Sequence, residues 1–331
     1  MSEPKLFGVV VTFRRPAALA TMLRRLRDQD RRLDGLVVVD NDPSPENRDV
    51  VSAFAQQGLD VEYVPASENL GPAGGRAVGM ERVLGVADDR DWIVCLDDDE
   101  PPQSSTTLGA LLRFGQEMLA RDPQVGAVGA VGGRFDWKRG LVVRVRDEEL
   151  TGPVRVESIG GGQLPFFRVR AIRDAGVFSR DLFFGFEELE LGLRLRKSGY
   201  SLYADGVLWR ERRRNAGRLG LDLRPSRGVG RVTWRRYYSL RNTIFILRTN
   251  RMVVTALRVT ILHGLAKPLV NLAVSPLRAA RHLGLNVKAC RDAWTGRLGR
   301  TVEPDSGNEM FEPEQGTQAQ AVRSIDSEVG A

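Results

Sequence analysis

From Leu6 to Val131 the chain alternates short, apolar, β-branched runs with longer helix-like segments, and this alternation limits the fold more than any other feature. The runs Leu6 to Val11, Leu36 to Val39, Val61 to Val64, Trp92 to Leu96 and Val125 to Val131 read as strands. Pro16 to Arg27, Asn47 to Gln57, Ala73 to Leu84 and Thr106 to Arg121 read as helices. Apolar strands separated by helices predict an α/β fold with an open, mostly parallel sheet covered on both faces. Ligands of such sheets bind beyond the carboxyl ends of the strands, so the residues after each strand carry the functional information.

Those residues are polar. They are Thr12-Phe-Arg14-Arg15-Pro16, Asp40-Asn41-Asp42, Glu68-Asn69-Leu-Gly71-Pro-Ala-Gly74-Gly75-Arg76 and Asp97-Asp98-Asp99. Three adjacent carboxylates repel one another, and a divalent cation such as Mg²⁺ or Mn²⁺, a hard ion that takes oxygen ligands and shares them with phosphates, relieves that repulsion. A solvated acidic turn, or an N-cap for a helix beginning near Ser104, accounts for the same residues. Asp40-Asn41 can meet a base or ribose, although an Asx turn is the commoner use of that pair. The glycine segment Asn69 to Gly79 has neither the GxGxxG nor the GxxxxGK[ST] spacing, so nicotinamide and P-loop chemistry are not supported. Its glycines allow close backbone approach to a ligand, and Arg76 can meet a phosphate or orient the carboxylates, with helix capping as the plain alternative.

A looser region from Arg134 to Gly162, ending in three glycines, leads to a helix from about Phe186 to Lys197 that opens with Glu187-Glu188-Leu-Glu190. The helix dipole favours acids there. The preceding Phe183-Phe-Gly-Phe186 suggests a wall that holds a carboxylate toward a pocket, where it can deprotonate a hydroxyl.

Charge enters with the second half. The net charge is +7 and the pI about 9.8, with arginines crowded between Arg210 and Arg241. An anionic partner is implied, and phosphates, lipid surfaces and nucleic acid all meet that requirement. Met252 to Val274 is apolar, but Arg258, His263, Lys267 and Pro268 argue against a membrane span. Arg278, Arg281, Lys288 and Arg291 fall on one helical face suited to an anionic membrane surface. From Thr301 onward, seven acids stand against one arginine in a Ser-, Gln- and Gly-rich tail expected to be disordered. No secretory signal precedes the first strand, and Cys95 sits in an apolar run, as a buried thiol does. The expected domains are 1–212, the open, mostly parallel sheet; 213–300, a basic helical extension; and 301–331, the tail. A nucleic-acid-binding module is the weaker reading, because acids occupy the strand ends and no zinc or RNA-binding signature appears.

These motifs together resemble the inverting, family 2 glycosyltransferases with the so-called A fold. The matching pieces are Val9-Val-Val-Thr12-Phe-Arg-Arg-Pro16, Val37-Val-Val-Asp40-Asn41, Asn69-Leu-Gly71-Pro-Ala-Gly74-Gly75, Leu96-Asp-Asp-Asp99 and Phe186-Glu-Glu-Leu-Glu-Leu-Gly-Leu-Arg194, in order over roughly residues 5 to 212. Within that family the likeness is greatest to actinobacterial galactofuranosyltransferases that start cell-wall galactan. Rhamnosyltransferases are nearly as similar, and Trp234-Arg-Arg-Tyr237-Tyr238-Ser-Leu-Arg241-Asn242 resembles a signature of both.

The resemblance implies that Thr12, Asp40 and Asp97 hold the nucleotide, with Arg14, Asn69, Arg76 and Asp98 completing the donor site. It further implies that Asp99, with Asp97, binds Mn²⁺ or Mg²⁺, that Glu188 is the general base, and that Glu187 supports it. A metal-binding histidine common in the family has no counterpart near Trp209-Arg210; Arg210, with Trp209 and Gly162, would serve the leaving group and acceptor. The implied reaction is transfer from a nucleotide-sugar, UDP-galactofuranose or dTDP-rhamnose, to a polyprenyl-diphosphate-linked or polysaccharide acceptor. The expected location is the cytoplasmic face of the membrane as a peripheral protein, with a homo-oligomer possible and no nucleic acid partner. A non-catalytic scaffold is the alternative.

Overall fold

The computed structural model describes residues 3–160, 162, 164–220, 234–270 and 276–304. Among these the chain divides into two compact units. The first comprises the residues up to Arg134, Val145–Arg180 and Glu187–Leu219; the second comprises Phe135–Arg144, Asp181–Phe186 and the residues from Gly220 on.

The first unit is built on an eight-stranded sheet. Its first half contains β1 (Leu6–Thr12), β2 (Gly35–Asp40), β3 (Val61–Pro65) and β4 (Trp92–Asp97), all parallel. The connecting helices are α1 (Pro16–Arg27), α2 (Pro45–Gln56), α3 (Gly71–Leu84) and α4 (Thr107–Arg121). The sequence dictates these boundaries locally. Pro16 occupies the first turn of α1, where its missing N–H costs nothing, and Leu19, Met22, Leu23 and Leu26 recur at helical spacing and are buried. Ser44 caps α2, its side chain accepting from the Asn47 backbone N–H at 3.2 Å.

Strand alternation sends Val9, Val37, Val39 and Cys95 to one face and Val10, Val38, Val94 and Leu96 to the other. The first face is covered by α3 and the second by α1, α2 and α4. Cys95 is buried there, its thiol pushed up to about 12 by desolvation. The glycines of α3 serve packing against β1. A Cβ on Gly79 would lie 2.3 Å from Val9 Cγ1, and one on Gly75 would lie 2.7 Å from Val11 Cγ1. The close approach expected for a ligand is thus made by a strand.

The far half of the sheet is mixed. The strand order is β3-β2-β1-β4-β9-β5-β10-β8. After β5 (Val125–Gly129), the ribbon strands β6 (Arg134–Asp136) and β7 (Leu141–Val143) precede β8 (Pro153–Val156). Next come β9 (Phe166–Arg168), α5 (Val169–Ala175), α6 (Glu187–Lys197), β10 (Ser201–Asp205) and α7 (Gly206–Asn215). β9 runs antiparallel between β4 and β5, and β8 runs antiparallel on the edge beside β10.

In the second unit the helices are α8 (Trp234–Thr249), α9 (Val253–Val259), a π-helical stretch (Thr260–Ala266), α10 (Lys267–Val270) and α11 (Pro276–Thr295). Arg241 and Asn242 of α8 are buried and tie down the Asp181–Phe186 segment, through Asn242 Nδ2 to the carbonyls of Leu182 (3.1 Å), Phe184 (2.9 Å) and Gly185 (2.7 Å). No helix among the described residues is long and apolar enough to cross a membrane. The basic face expected on α11 is not intact. Lys288 turns inward, its ammonium 2.8 Å from Asp292 Oδ2 and 3.1 Å from the Thr301 carbonyl, because buried Asp292 needs a cation. Residues 305–331 of the expected tail, and Arg224, Arg227 and Arg231 of the arginine run, lie outside the described residues.

Candidate active site

The ends of β1 and β4 are neighbours, with Val11 opposite Asp97. This register brings Thr12 to the acidic cluster: its hydroxyl donates to Asp98 Oδ2 at 2.8 Å. Arg15, to which the resemblance assigns no role, completes the corner. Its Nη1 lies 3.1 Å from Asp98 Oδ1 and 2.6 Å from Asp99 Oδ2. Asp98 is buried, and desolvation, opposed by Arg15 and Thr12, pushes its carboxyl up to about 6. It therefore points inward, while the side chain of Asp99 is 53% exposed and that of Asp97 34%.

Arg76, on the first turns of α3, is the hub. It is buried, stacked 5.6 Å from the Phe178 ring, and one guanidinium reaches three acids. Nη2 donates to Asp97 Oδ1, and Nη1 donates to Glu188 Oε1 at 2.7 Å and Glu187 Oε1 at 3.2 Å. Burial opposes the charge on Arg76, but the three carboxylates outweigh it and raise its pKa. The two glutamates start α6, where the dipole favours them, and both are buried. Burial, then the charge of Glu188, pushes the Glu187 carboxyl up, with Arg76 opposing the shift. Glu187 Oε2 and Arg76 Nε are buried without a partner. Glu188 keeps the larger exposure, 8% against 3%, and of the two it retains an opening to solvent.

Other expected donor residues are used differently. Asp40 is fully enclosed. Its Oδ2 accepts from Asn47 Nδ2 (2.9 Å) and the Tyr63 hydroxyl (2.8 Å), and its Oδ1 closes an Asx turn with the Asp42 N–H (3.1 Å). In this arrangement it braces the loop after β2. Asn69 Oδ1 accepts from the Gly71 N–H at 2.9 Å, which shapes the entry to α3. Arg14 is exposed, in the left-handed region at φ 57°, and pairs with Asp42.

On α7 the three residues Trp209, Arg210 and Arg212 meet different surroundings. Trp209 is buried beneath Arg213, whose guanidinium lies 5.0 Å from its ring, and Arg210 donates to the Asp147 carbonyl at 3.2 Å. Arg212 is the arginine that turns to the acidic segment. It donates to the Gly162 carbonyl at 2.9 Å and lies 3.9 Å from Glu100 Oε2. A Cβ at Gly162 would displace the Glu100 carboxylate from this position. Burial raises the Glu100 carboxyl, with Asp97 adding to the shift.

Among the described residues no three His, Cys, Asp or Glu side chains gather to hold a metal ion by themselves. Asp97 and Asp99 are hard oxygen donors at the open side of the cluster, and Mg²⁺-type ions commonly bind one or two carboxylates plus substrate phosphates. The residues thus fit a cation whose remaining ligands arrive with a diphosphate.

A parallel sheet with acids at the carboxyl end of β4 and a second acid pair on α6 defines a class. Residues 9–150 match the sequence profile described as glycosyl transferase family 2. The chain is 37% identical over 213 residues to galactofuranosyltransferase GlfT1 of Mycolicibacterium smegmatis and 36% identical over 200 residues to that of Mycobacterium tuberculosis. Each match covers 58% of this chain and 65% of the relative, so the chain spans less than two thirds of the curated relatives' length. The likeness to actinobacterial galactofuranosyltransferases read from the motifs agrees with this. In fold it is similar to the mannosyltransferase PcManGT of Pyrobaculum calidifontis, solved with GDP-Man and Mn²⁺, with a TM-score of 0.52, 18% identity, and 98% of this chain and 86% of that one covered. It is also similar to GalNAc-T7, solved with UDP, GalNAc and Mn²⁺, with a TM-score of 0.52, 12% identity, and coverage of 74% and 48%.

Proposed function

We propose that the chain is an inverting glycosyltransferase that moves a sugar from UDP-galactofuranose or dTDP-rhamnose to a hydroxyl of a lipid-linked or polysaccharide acceptor in cell-envelope glycan synthesis, at the inner face of the membrane. The observation that carries this reading is the Arg76 hub, which joins Asp97 at the end of β4 to Glu188 of α6, 112 residues beyond Arg76 itself. A site that only bound phosphate would need no second carboxylate pair.

In this reading Glu188 takes the proton of the acceptor hydroxyl. The oxygen attacks the anomeric carbon opposite the nucleoside diphosphate, the bond to the diphosphate breaks, and the configuration inverts. Arg76 fixes the carboxylate of Glu188 in place, and burial disfavours a second negative charge on Glu187 beside it. Thr12 and Arg15 hold Asp98 inward, which orients Asp97 and Asp99 outward. A divalent cation held by Asp97 and Asp99 supplies, when bound, charge neutralisation of the departing diphosphate. Arg212, beside Glu100, is the cation of α7 best placed to add to it.

The test is release of nucleoside diphosphate from a panel of UDP-, dTDP- and GDP-sugars with Mn²⁺. One UDP- or dTDP-sugar is expected to turn over, and Asp99→Ala is expected to lower that turnover about 100-fold or more. Turnover undiminished in Asp99→Ala would remove the metal assignment, and no turnover of any donor would favour a non-catalytic scaffold.

A further inference from the structure

One side of the segment from Val253 to Leu269 is committed to the interior of the second unit. Thr255, Ala256, Val259 and Gly264 are buried, α9 packs on α8, and the π-helical stretch packs on α11. Gly264 permits the closest approach, since a Cβ there would lie 2.6 Å from Cys290 Sγ. Asn286 of α11 donates to the carbonyls of His263 and Gly264, each at 3.1 Å, answering backbone groups of the π-helical stretch.

The other side is apolar and open. Val254 is 82% exposed, Leu257 46%, Ile261 56%, Leu265 38% and Leu269 49%. Residues four apart drift around a helix of 3.6 residues per turn, but the wider π turn between Thr260 and Ala266 counters that drift. The side chains at 257, 261, 265 and 269 therefore stay close to one line. A continuous exposed apolar strip of this kind marks a contact surface.

The charge of the region selects the partner. Between Leu223 and Arg291 the sequence contains fourteen arginines and lysines, of which Arg241 and Lys288 turn inward, and no aspartate or glutamate. Arg251, immediately before α9, and Arg258, within it, are exposed. Nucleic acid would meet the arginines and leave the strip in water, whereas the interface of an anionic bilayer meets both. We propose that the Val254 to Leu269 face is the surface by which this chain lies on an anionic bilayer, its leucines and isoleucine entering the acyl boundary and its arginines lying among lipid phosphates. The contact is thereby placed on α9 to α10, and the basic face of α11 expected from the sequence is set aside. The inference deepens the lipid-linked-acceptor reading and rests on it for its purpose, but its test needs neither donor nor acceptor.

The full chain is expected to co-sediment with vesicles of phosphatidylcholine and phosphatidylglycerol, and about tenfold less with phosphatidylcholine alone. The pair Leu257→Glu and Ile261→Glu is expected to weaken vesicle binding about tenfold or more with melting temperature and donor hydrolysis unchanged. Cys95 and Cys290 are both buried, so a polarity-sensitive dye on Ile261→Cys reports the contact without relying on the double variant. Its emission is expected to shift to the blue on anionic vesicles. Undiminished vesicle binding by the glutamate pair, or an unshifted dye, would overturn the proposal. So would a dimer that the pair abolishes in a chain that ignores vesicles, which would give the strip to a second copy. Donor turnover measured in parallel separates this outcome from failure of the transferase reading.

Discussion

Arg76 and Arg241 are both buried, one in each unit, and their surroundings differ in kind. Arg241 donates to the carbonyls of Gly299 (2.7 Å) and Leu182 (2.8 Å) and to the side chain of Asn242 (2.9 Å), and its guanidinium lies 4.7 Å from the ring of Tyr238. Burial lowers its pKa, because carbonyl dipoles and rings answer the charge without cancelling it. Arg76 faces three carboxylates and its pKa rises. The first arrangement ties chain segments together. The second gathers more negative charge than one guanidinium can balance, at the end of a sheet where ligands of this fold class bind. Perturbed acids in such a place mark a site of chemistry.

Substituting the two arginines breaks that comparison or sharpens it. Arg76→Met leaves three acids facing one another in a buried place, and removing one partner of a buried ion pair costs about 3–5 kcal/mol. It is expected to lower the melting temperature strongly and abolish transfer, with Arg76→Lys restoring stability only in part, because an ammonium lacks the guanidinium fork. Arg241→Met is expected to cost about 1–3 kcal/mol, from the carbonyls it leaves unpaired. At a temperature where both variants are folded, Arg241→Met should retain donor hydrolysis; equal loss in both would erase the distinction.

A smaller effect is expected from His282, which is buried in the second unit with Nε2 unpartnered. Burial, then the charges of Arg236 and Lys267, pushes it from 6.5 down to about 4. Between those values the unfolded chain binds a proton that the folded chain refuses. Its contribution is complete above about pH 6.5 and is lost progressively as the pH falls toward 4. Melting curves across that range should show the decline, and His282→Gln should flatten it. The smallest change is expected from Arg14→Ala, since the Arg14–Asp42 pair is exposed and such pairs contribute about 0–1 kcal/mol.

The parts of this account that were legible in the sequence are those with local signals. Long apolar runs gave β1 to β5, and the acids after β4 stood out because a strand ended at them. β8 and β9 are four and three residues long and pair with strands far away in the chain, so no periodicity announces them. The meeting of Arg76 with Glu188 is likewise a product of topology. The phase of α7, which turns Arg212 to the Glu100 segment and Arg210 to the Asp147 carbonyl, is not visible in the sequence, and residues two apart on a helix point to nearly opposite sides. The inward turn of Lys288 toward buried Asp292, one turn on, arises only once α8 and α11 are packed.

The direct test of the central claim compares Glu188→Gln with Glu187→Gln in transfer from the active donor, each variant first shown to melt like the parent. Burial favours the neutral form of Glu187, so its amide is expected to stay within about threefold of the parent rate, while loss of the base at Glu188 is expected to lower kcat about 100- to 10,000-fold. Equal rates for Glu188→Gln and the parent, or a larger loss at Glu187 than at Glu188, would contradict the assignment of Glu188 as the base.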